Sequence, residues 1–141
     1  MVASRRILLV DDNEPFRKIV ILMLQENPGL YSVEQAGDGL DGVQKAENLR
    51  PDLVLLDIGL PKLNGIDVSK LIRECSPNSK IIFLTVETDL YVVKAALDTG
   101  ALGYVHKPRA GIELGIAVEA VLRGRRFVSR NLRLPSFHVA A

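Results

Sequence analysis

Four short apolar runs along the chain each end in a polar residue of a particular kind. Ile7-Leu8-Leu9-Val10 ends at Asp11-Asp12, and Leu53-Val54-Leu55-Leu56 ends at Asp57. Ile81-Ile82-Phe83-Leu84 ends at Thr85, and Leu102-Gly103-Tyr104-Val105-His106 ends at Lys107-Pro108. Runs of this length without alternation predict strands buried on both faces. Between them the apolar positions change to helical spacing, as in Val68, Leu71, Ile72 and Cys75 at i, i+3, i+4 and i+7, a single buried stripe. A first helix over about Glu14–Glu26 stops at Asn27-Pro28-Gly29. Tyr31–Ala36 predicts a second strand, and Gly37-Asp38-Gly39 turns into a helix that ends before Pro51. Further helices are expected from Gly65 to the Ser76-Pro77-Asn78 breaker, over Asp89–Asp98 with Gly100 closing it, and over Ala110–Leu122. The remaining strands fall at Arg6–Val10, Asp52–Leu56, Lys80–Leu84 and just before Lys107. Strict strand–helix alternation predicts an α/β fold, a doubly wound five-stranded parallel sheet of (βα)5 form with right-handed crossovers. The carboxyl ends of parallel strands share one edge, where such folds bind ligands. Three acids, a hydroxyl and an ammonium then converge.

At 141 residues the chain is long enough for one domain with a substantial core. Its net charge of +1 conceals an asymmetry. Residues 1–122 carry 13 Lys/Arg against 17 Asp/Glu, whereas residues 123–141 carry five arginines and no acid. The shift predicts a compact domain over residues 1–123 and a basic tail or linker over 124–141, with no output domain in the chain. The tail lacks the aromatic interleaving of a nucleic-acid module, so a solvated linker is the simpler reading and a phosphate-contacting arm the other. Cys75 is the one cysteine, which excludes an internal disulfide and suits a reducing compartment. No apolar stretch approaches the roughly 20 residues of a membrane span, and Arg5-Arg6 precedes too few apolar residues for a signal peptide. The expectation is a cytoplasmic protein with no membrane partner.

Asp11 and Asp12 sit where the first strand gives way to the first helix. An Asp or Asn there often caps the helix, worth about 1 kcal/mol, but Asn13 is better placed for that task and Pro15 suits the first turn. Asp57 follows four large apolar residues, so its carboxylate emerges from the middle of the sheet. A buried ionised carboxylate costs several kcal/mol unless paired, and two neighbouring acids make that worse unless a cation joins them. Oxygen ligands around a gap that admits water and phosphate suit Mg²⁺ (or Mn²⁺), with the Gly59 backbone carbonyl as a further ligand. Lys107 supplies a compact positive charge that can pair with Asp57 and contact a phosphoryl oxygen. A cis Lys107–Pro108 bond would aim it. Thr85 is either a β-branched strand residue or a hydroxyl donor to a phosphoryl oxygen. Tyr104 is either an aromatic half-buried at the sheet edge or a ring that turns inward behind Thr85.

Taken together, these segments resemble a response-regulator receiver domain of bacterial two-component signalling. The resemblance rests on Ile7 through Asp12, Leu53 through Pro61, Asn64-Gly65, Ile81 through Thr85, and Gly100 through Tyr104 with Lys107-Pro108. It covers about residues 5–123. Gly100 through Lys107 and Arg123-Gly124 with the following Arg-Phe-Val-Ser are most similar to receivers that precede a LuxR-type helix-turn-helix output domain. The resemblance implies a flavodoxin-like sheet of order 2-1-3-4-5. It also implies Asp57 as phospho-acceptor, Asp11 and Asp12 as metal-site acids, Lys107 as the phosphate-contacting lysine, and Thr85 with Tyr104 as a switch pair. Gly59 and Glu87 fall at positions similar to those that tune phosphoryl lifetime. The implied function is a phosphorylation-controlled switch, charged by a sensor histidine kinase, rather than an enzyme acting on outside substrates.

The last helix is more apolar than a one-sided surface helix requires. Leu114, Ala117, Val118 and Val121 share the expected core face, leaving Ile112 and Ile116 opposite. On the first helix Phe16, Val20, Met23 and Leu24 are expected inward, with Ile21 and Leu22 further round. Ile112, Ile116 and Leu22 therefore predict a homodimer patch on helices one and five, unless the basic tail folds back over it. DNA would be reached only through an output domain. A stand-alone receiver acting by protein contact or phosphorelay is the alternative. An aspartyl-nucleophile phosphatase would need a second acid two residues after the nucleophile, where Gly59 stands. A flavin carrier would need a Gly/Ser/Thr-rich phosphate loop where Asp11-Asp12-Asn13-Glu14-Pro15 stands.

Overall fold

A computed structural model describes residues 4–132. The chain alternates β1 (Arg5–Val10), α1 (Glu14–Leu24), β2 (Tyr31–Ala36), α2 (Gly39–Leu49), β3 (Leu53–Leu56), α3 (Gly65–Cys75), β4 (Lys80–Thr85), α4 (Leu90–Leu97), β5 (Gly103–His106) and α5 (Ala110–Leu122). A short 3₁₀ turn, Lys107–Arg109, links β5 to α5, and β6 (Phe127–Val128) is followed by a second such turn at Arg130–Leu132. All strand pairings are parallel, in the order β2-β1-β3-β4-β5-β6.

The non-alternating strands are buried on both sides because helices cover both faces. On one face Leu8, Val10, Val54, Leu56, Phe83 and Tyr104 pack with residues of α2, α3 and α4. On the other, Ile7, Leu9, Leu53, Leu55, Ile82 and Leu84 pack with α1 and α5. The period of two thus splits one apolar run between two cores. All four residues of β3 are fully buried, each contributing about 2 kcal/mol of apolar burial at the centre of the sheet. Helices one and five do share a face, with Val20, Leu24, Leu114, Ala117, Val118 and Val121 buried there.

Side-chain caps set the helix starts. Asn13, Asp38 and Asn64 each accept a hydrogen bond from the backbone N–H three residues on, and Asp89 accepts from Tyr91. Gly100, after α4, has φ +101°, a conformation that an L side chain rarely adopts. Gly65 opens α3 against β3: a Cβ there would overlap the Asp57 carbonyl oxygen. That close approach fixes the loop carrying Asp57.

Two expectations are corrected. The sheet has six strands among the described residues rather than five, with order 2-1-3-4-5-6. The Lys107–Pro108 bond is trans, since no described peptide bond is cis, and Pro108 instead sits within the 3₁₀ turn that Lys107 starts. The sixth strand was illegible because two residues carry no periodicity; it forms because β5 would otherwise expose an open edge. Phe127 N–H donates to Leu102 O (2.9 Å) and Ser129 N–H to Tyr104 O (2.8 Å). Residues 124–132, expected as the start of a tail, thus include this strand and turn; the rest of that tail lies outside the described residues.

A buried acid on α5 anchors the added strand. Glu113 is 5% exposed and accepts from Ser129 Oγ (2.5 Å) and from the Arg130 N–H (3.0 Å), and it forms an ion pair with Arg109 (3.0 Å). Ser129 Oγ also accepts from the His106 N–H (2.8 Å). Burial opposes the Glu113 charge, but these donors and the Arg109 guanidinium outweigh it and hold the carboxyl below its usual range. A depressed carboxyl stabilises the fold above the unfolded-state value and loses that contribution as pH falls through the folded-state value. Glu113→Gln is therefore expected to cost about 1.5–3 kcal/mol at neutral pH, the loss shrinking below about pH 4. Urea denaturation of both proteins across pH 3–7 checks this; a difference independent of pH would contradict it.

Candidate functional site

The carboxyl ends of β1, β3, β4 and β5 bring Asp11, Asp57, Thr85 and Lys107 to one edge. The Asp57 N–H donates to Val10 O (3.0 Å), so the ends of β1 and β3 are tied together by the ladder itself. Asp11, just beyond β1, is 1% exposed, and Asp57, just beyond β3, is 7% exposed. Asp12 is solvent-exposed. One carboxylate oxygen from each of the three lies within 4.8 Å of the others.

Each buried carboxylate is partnered. Asp11 Oδ1 accepts the Asn13 N–H (2.8 Å), so the residue that caps α1 also orients the acid before it. Asp11 Oδ2 meets Lys107 Nζ at 2.7 Å. Asp57 Oδ2 meets the same ammonium at 3.3 Å, and its Oδ1 accepts the Gly59 N–H at 3.3 Å. Lys107 therefore bridges the two buried acids, closer to Asp11 than to Asp57. Burial pushes the Asp11 carboxyl above its usual range, against the opposing pull of Lys107 and the Asn13 N–H. Burial also works against the Lys107 charge, but the bond to Asp11 and the fields of Asp57 and Asp11 outweigh it and hold the ammonium above the usual lysine range.

Thr85 ends β4, 1% exposed, with its Oγ1 accepting the Glu87 N–H (3.4 Å). Tyr104 is fully buried rather than half-buried at an edge, because β6 pairs with β5 and makes it an interior strand. Its ring lies 6.1 Å from that of Phe83, and its hydroxyl donates to the Glu87 carbonyl (2.8 Å). Burial, with the Glu87 and Asp57 charges adding, raises the Tyr104 phenol far above its ordinary value, so it remains a donor. The Glu87 carboxylate accepts the Asp89 N–H (3.0 Å), holding the loop between β4 and α4. Thr85, Glu87 and Tyr104 thus form one connected group. Ile112 and Ile116 on α5 and Leu22 on α1 take no part in it; they are exposed by 70%, 59% and 69%.

Two participants were not foreseen. Phe16, expected in the core, is half-buried with its ring under the ammonium: Lys107 Nζ lies 4.4 Å from the ring centroid. Arg17 Nη1 donates to Asp11 O (2.5 Å) and its Nε to Gln35 Oε1 (3.0 Å), bracing the end of β1 against β2. The helical period placed Phe16 on the inward face, but nothing local placed Lys107, 91 residues later, above it.

The donor set fits a hard divalent cation: three carboxylates, oxygen donors only, one of them open to solvent. The Lys107 ammonium, seated between Asp11 and Asp57, stands in for positive charge at that place. Aspartate oxygens would hold the ion, and its chemistry there would be to neutralise charge on a transferring oxyanion.

Comparison with known proteins agrees with the geometry. Residues 7–119 match the family model described as response regulator receiver domain. The "Response regulator GacA" of Pseudomonas viridiflava is 34% identical over 137 residues, covering 94% of this chain and 64% of that protein. The "DNA-binding response regulator MtrA" of Mycolicibacterium paratuberculosis is 39% identical over 119 residues, 84% of this chain and 52% of that protein. The chain thus spans less than two thirds of the length of these relatives. A crystal structure of a two-component response regulator of the LuxR family from Aurantimonas sp. SI85-9A1 superposes with a TM-score of 0.86 at 32% identity, covering 92% of each chain.

The stand-in role of Lys107 has a measurable consequence. In Lys107→Ala two buried carboxylates lose their shared counter-ion, which destabilises the fold, by an expected 3 kcal/mol or so. Mg²⁺ no longer competes with the ammonium for Asp11, so it should raise the melting temperature of the variant more than that of the wild type. Thermal melts in EDTA and in millimolar Mg²⁺ measure both; equal Mg²⁺ shifts would contradict the competition.

Proposed function

The chain belongs to the response regulator receiver domain family, and on that premise we propose that Asp57 is its phospho-acceptor in a phosphorylation-controlled switch. The observation that carries this reading is the single ammonium of Lys107 shared by two buried carboxylates, with a third acid within 4.8 Å. Asp57 is the member of the set at the centre of the sheet, and the ammonium sits farther from it than from Asp11.

In the proposed step an Asp57 carboxylate oxygen attacks phosphorus in a phosphohistidine of a sensor histidine kinase. The phosphorus–nitrogen bond breaks, the imidazole leaves with its electron pair and takes a proton, and an acyl phosphate remains. Mg²⁺ held by Asp11, Asp12 and Asp57, with the Gly59 carbonyl, would neutralise charge on the transferring oxygens. Lys107 orients and stabilises the same oxygens, so the protein contributes position and field rather than covalent chemistry. Water later cleaves the acyl phosphate, at a rate tuned by Gly59 and Glu87. The chain acts on no outside substrate; its chemistry is its own modification.

The added group carries about −1.5 to −2 charge and new acceptor oxygens. The Thr85 hydroxyl donates to one of these, a donor role that its long contact as acceptor of the Glu87 N–H (3.4 Å) leaves free. Because the Tyr104 hydroxyl holds the Glu87 carbonyl, a movement of Thr85 is felt through the loop between β4 and α4. The output is a shift between two packings of that loop.

The partner on the other side is a second copy. Ile112 and Ile116 stand exposed on α5 beside Gly111 and Gly115, facing a groove that Met23 and Tyr31 help to line. Ile112 and Ile116, with the exposed Leu22 of α1 as a further contact, are the apolar positions we assign to a homodimer. In the cytoplasm this dimer would govern a DNA-binding output domain following residues 124–141; the name of the MtrA relative, a DNA-binding response regulator, supports that reading. No described helix is long and apolar enough to cross a membrane.

Asp57→Asn is expected to abolish labelling by acetyl phosphate with Mg²⁺, read by intact-mass and peptide mass spectrometry; retained label on the variant would place the acceptor elsewhere. Sedimentation with and without a phosphoryl mimic should show self-association of the wild type and its loss in Ile116→Glu. A wild type that stays monomeric at high concentration in both conditions would end the dimer reading.

A further inference from the structure

Lys107 faces three partners with three N–H donors. Two are the carboxylates of Asp11 (2.7 Å) and Asp57 (3.3 Å), and the third is the face of the Phe16 ring, 4.4 Å from ammonium to centroid. The side chain is only 14% exposed, so water cannot replace a lost partner freely. A cation within about 6 Å of a ring centroid is attracted by the negative face of the ring, more strongly as water is removed.

The ring differs from the acids in one respect: it carries no charge. A divalent cation competes with the ammonium for Asp11 Oδ2, and phosphorylation changes the group at Asp57. Neither event takes anything from the ring face. Phe16 is also held on rigid backbone. Its N–H donates to Asn13 Oδ1 (2.9 Å) in the first turn of α1, directly after Pro15, and Asn13 in turn donates to Asp11. The loop that shapes the acid therefore also fixes the ring above which the ammonium sits.

We propose that Phe16 is a positioning residue for the phosphoryl-transfer lysine: its ring retains the Lys107 ammonium in the site when metal or phosphoryl displaces it from the carboxylates. This rests on the reading of Lys107 as the group that contacts the transferred phosphoryl. The Phe16 side chain has no polar group to offer an acid or a phosphoryl and acts through Lys107. Leucine would keep the apolar contact of Phe16 with the core around α1 but lose the ring face, whereas tyrosine would keep the face.

Two measurements on the full chain test this. The first uses no phosphodonor: in ¹³C-lysine-labelled protein the ring current should shift the Lys107 ε-methylene protons upfield, and the shift should persist as Mg²⁺ is titrated to saturation. Phe16→Leu should abolish it and Phe16→Tyr should keep it. The second is the rate of Asp57 labelling at saturating acetyl phosphate and Mg²⁺. Phe16→Leu should lower it about three- to tenfold, Phe16→Tyr should stay within about twofold of wild type, and in a Lys107→Ala background Phe16→Leu should have no further effect. An ε-methylene signal that returns to its unshifted position on adding Mg²⁺ overturns the proposal. So does equal loss of rate in Phe16→Leu and Phe16→Tyr, or an undiminished effect of Phe16→Leu without Lys107. If the wild type takes no label at all, the acceptor reading fails, while the Mg²⁺ titration still decides whether Phe16 holds the ammonium.

Discussion

Two carboxylates are buried at adjacent strand ends with one ammonium between them, and much of the molecule follows from making that arrangement tolerable. Asp11 and Asp57 lie beyond β1 and β3, which are hydrogen-bonded neighbours, so the ladder that builds the core also forces the acids together. Unpartnered, each would cost several kcal/mol. Lys107 comes from the turn after β5, two strands away from β3, and must reach inward to meet them. The Asn13 N–H, the Gly59 N–H and the Phe16 ring complete the shell. A site whose two buried acids share one ammonium can be rebalanced by another cation, and under the proposed function by a phosphoryl group as well.

The group at the end of β4 depends on a different kind of contact. Thr85, Glu87 and Tyr104 are connected through backbone and hydroxyl groups rather than through charge. Tyr104 sits in the core with Phe83, so its hydroxyl holds the Glu87 carbonyl from a packed side chain and not from solvent. Beside it, the Glu113 carboxylate ties Ser129 and Arg130 to α5, and Ser129 also receives the His106 N–H. The segment after β6 is therefore fastened next to the residue that precedes Lys107.

Read residue by residue, the amino-acid order carried what local physics can carry. Apolar runs without alternation were enough for both-face burial of Leu53 through Leu56, and helical spacing was enough for α5 over Ala110–Leu122. Asn13 was legible as a cap, which freed Asp11 and Asp12 for another role. Parallel strands then required the ends of β1, β3, β4 and β5 to meet, so the acids and Lys107 could be assigned to one edge before any distance was known. These inferences succeed because burial pattern, capping and strand direction depend on neighbours close in the chain.

What tertiary packing alone decided involves partners far apart in the chain or elements too short to have a period. β6 is two residues long; it pairs along the side of β5 away from β4, and Ser129 and Arg130 just after it bond to Glu113, which no local pattern marks as their partner. Tyr104 is interior because that strand covers it. The Lys107–Pro108 bond is trans because the 3₁₀ turn, rather than a cis bend, directs the lysine. The ring of Phe16 lies under an ammonium 91 residues away, and that ammonium approaches Asp11 more closely than Asp57 although it comes from the turn after β5. Such choices are made by the summed geometry of the sheet, on which no single window of sequence reports.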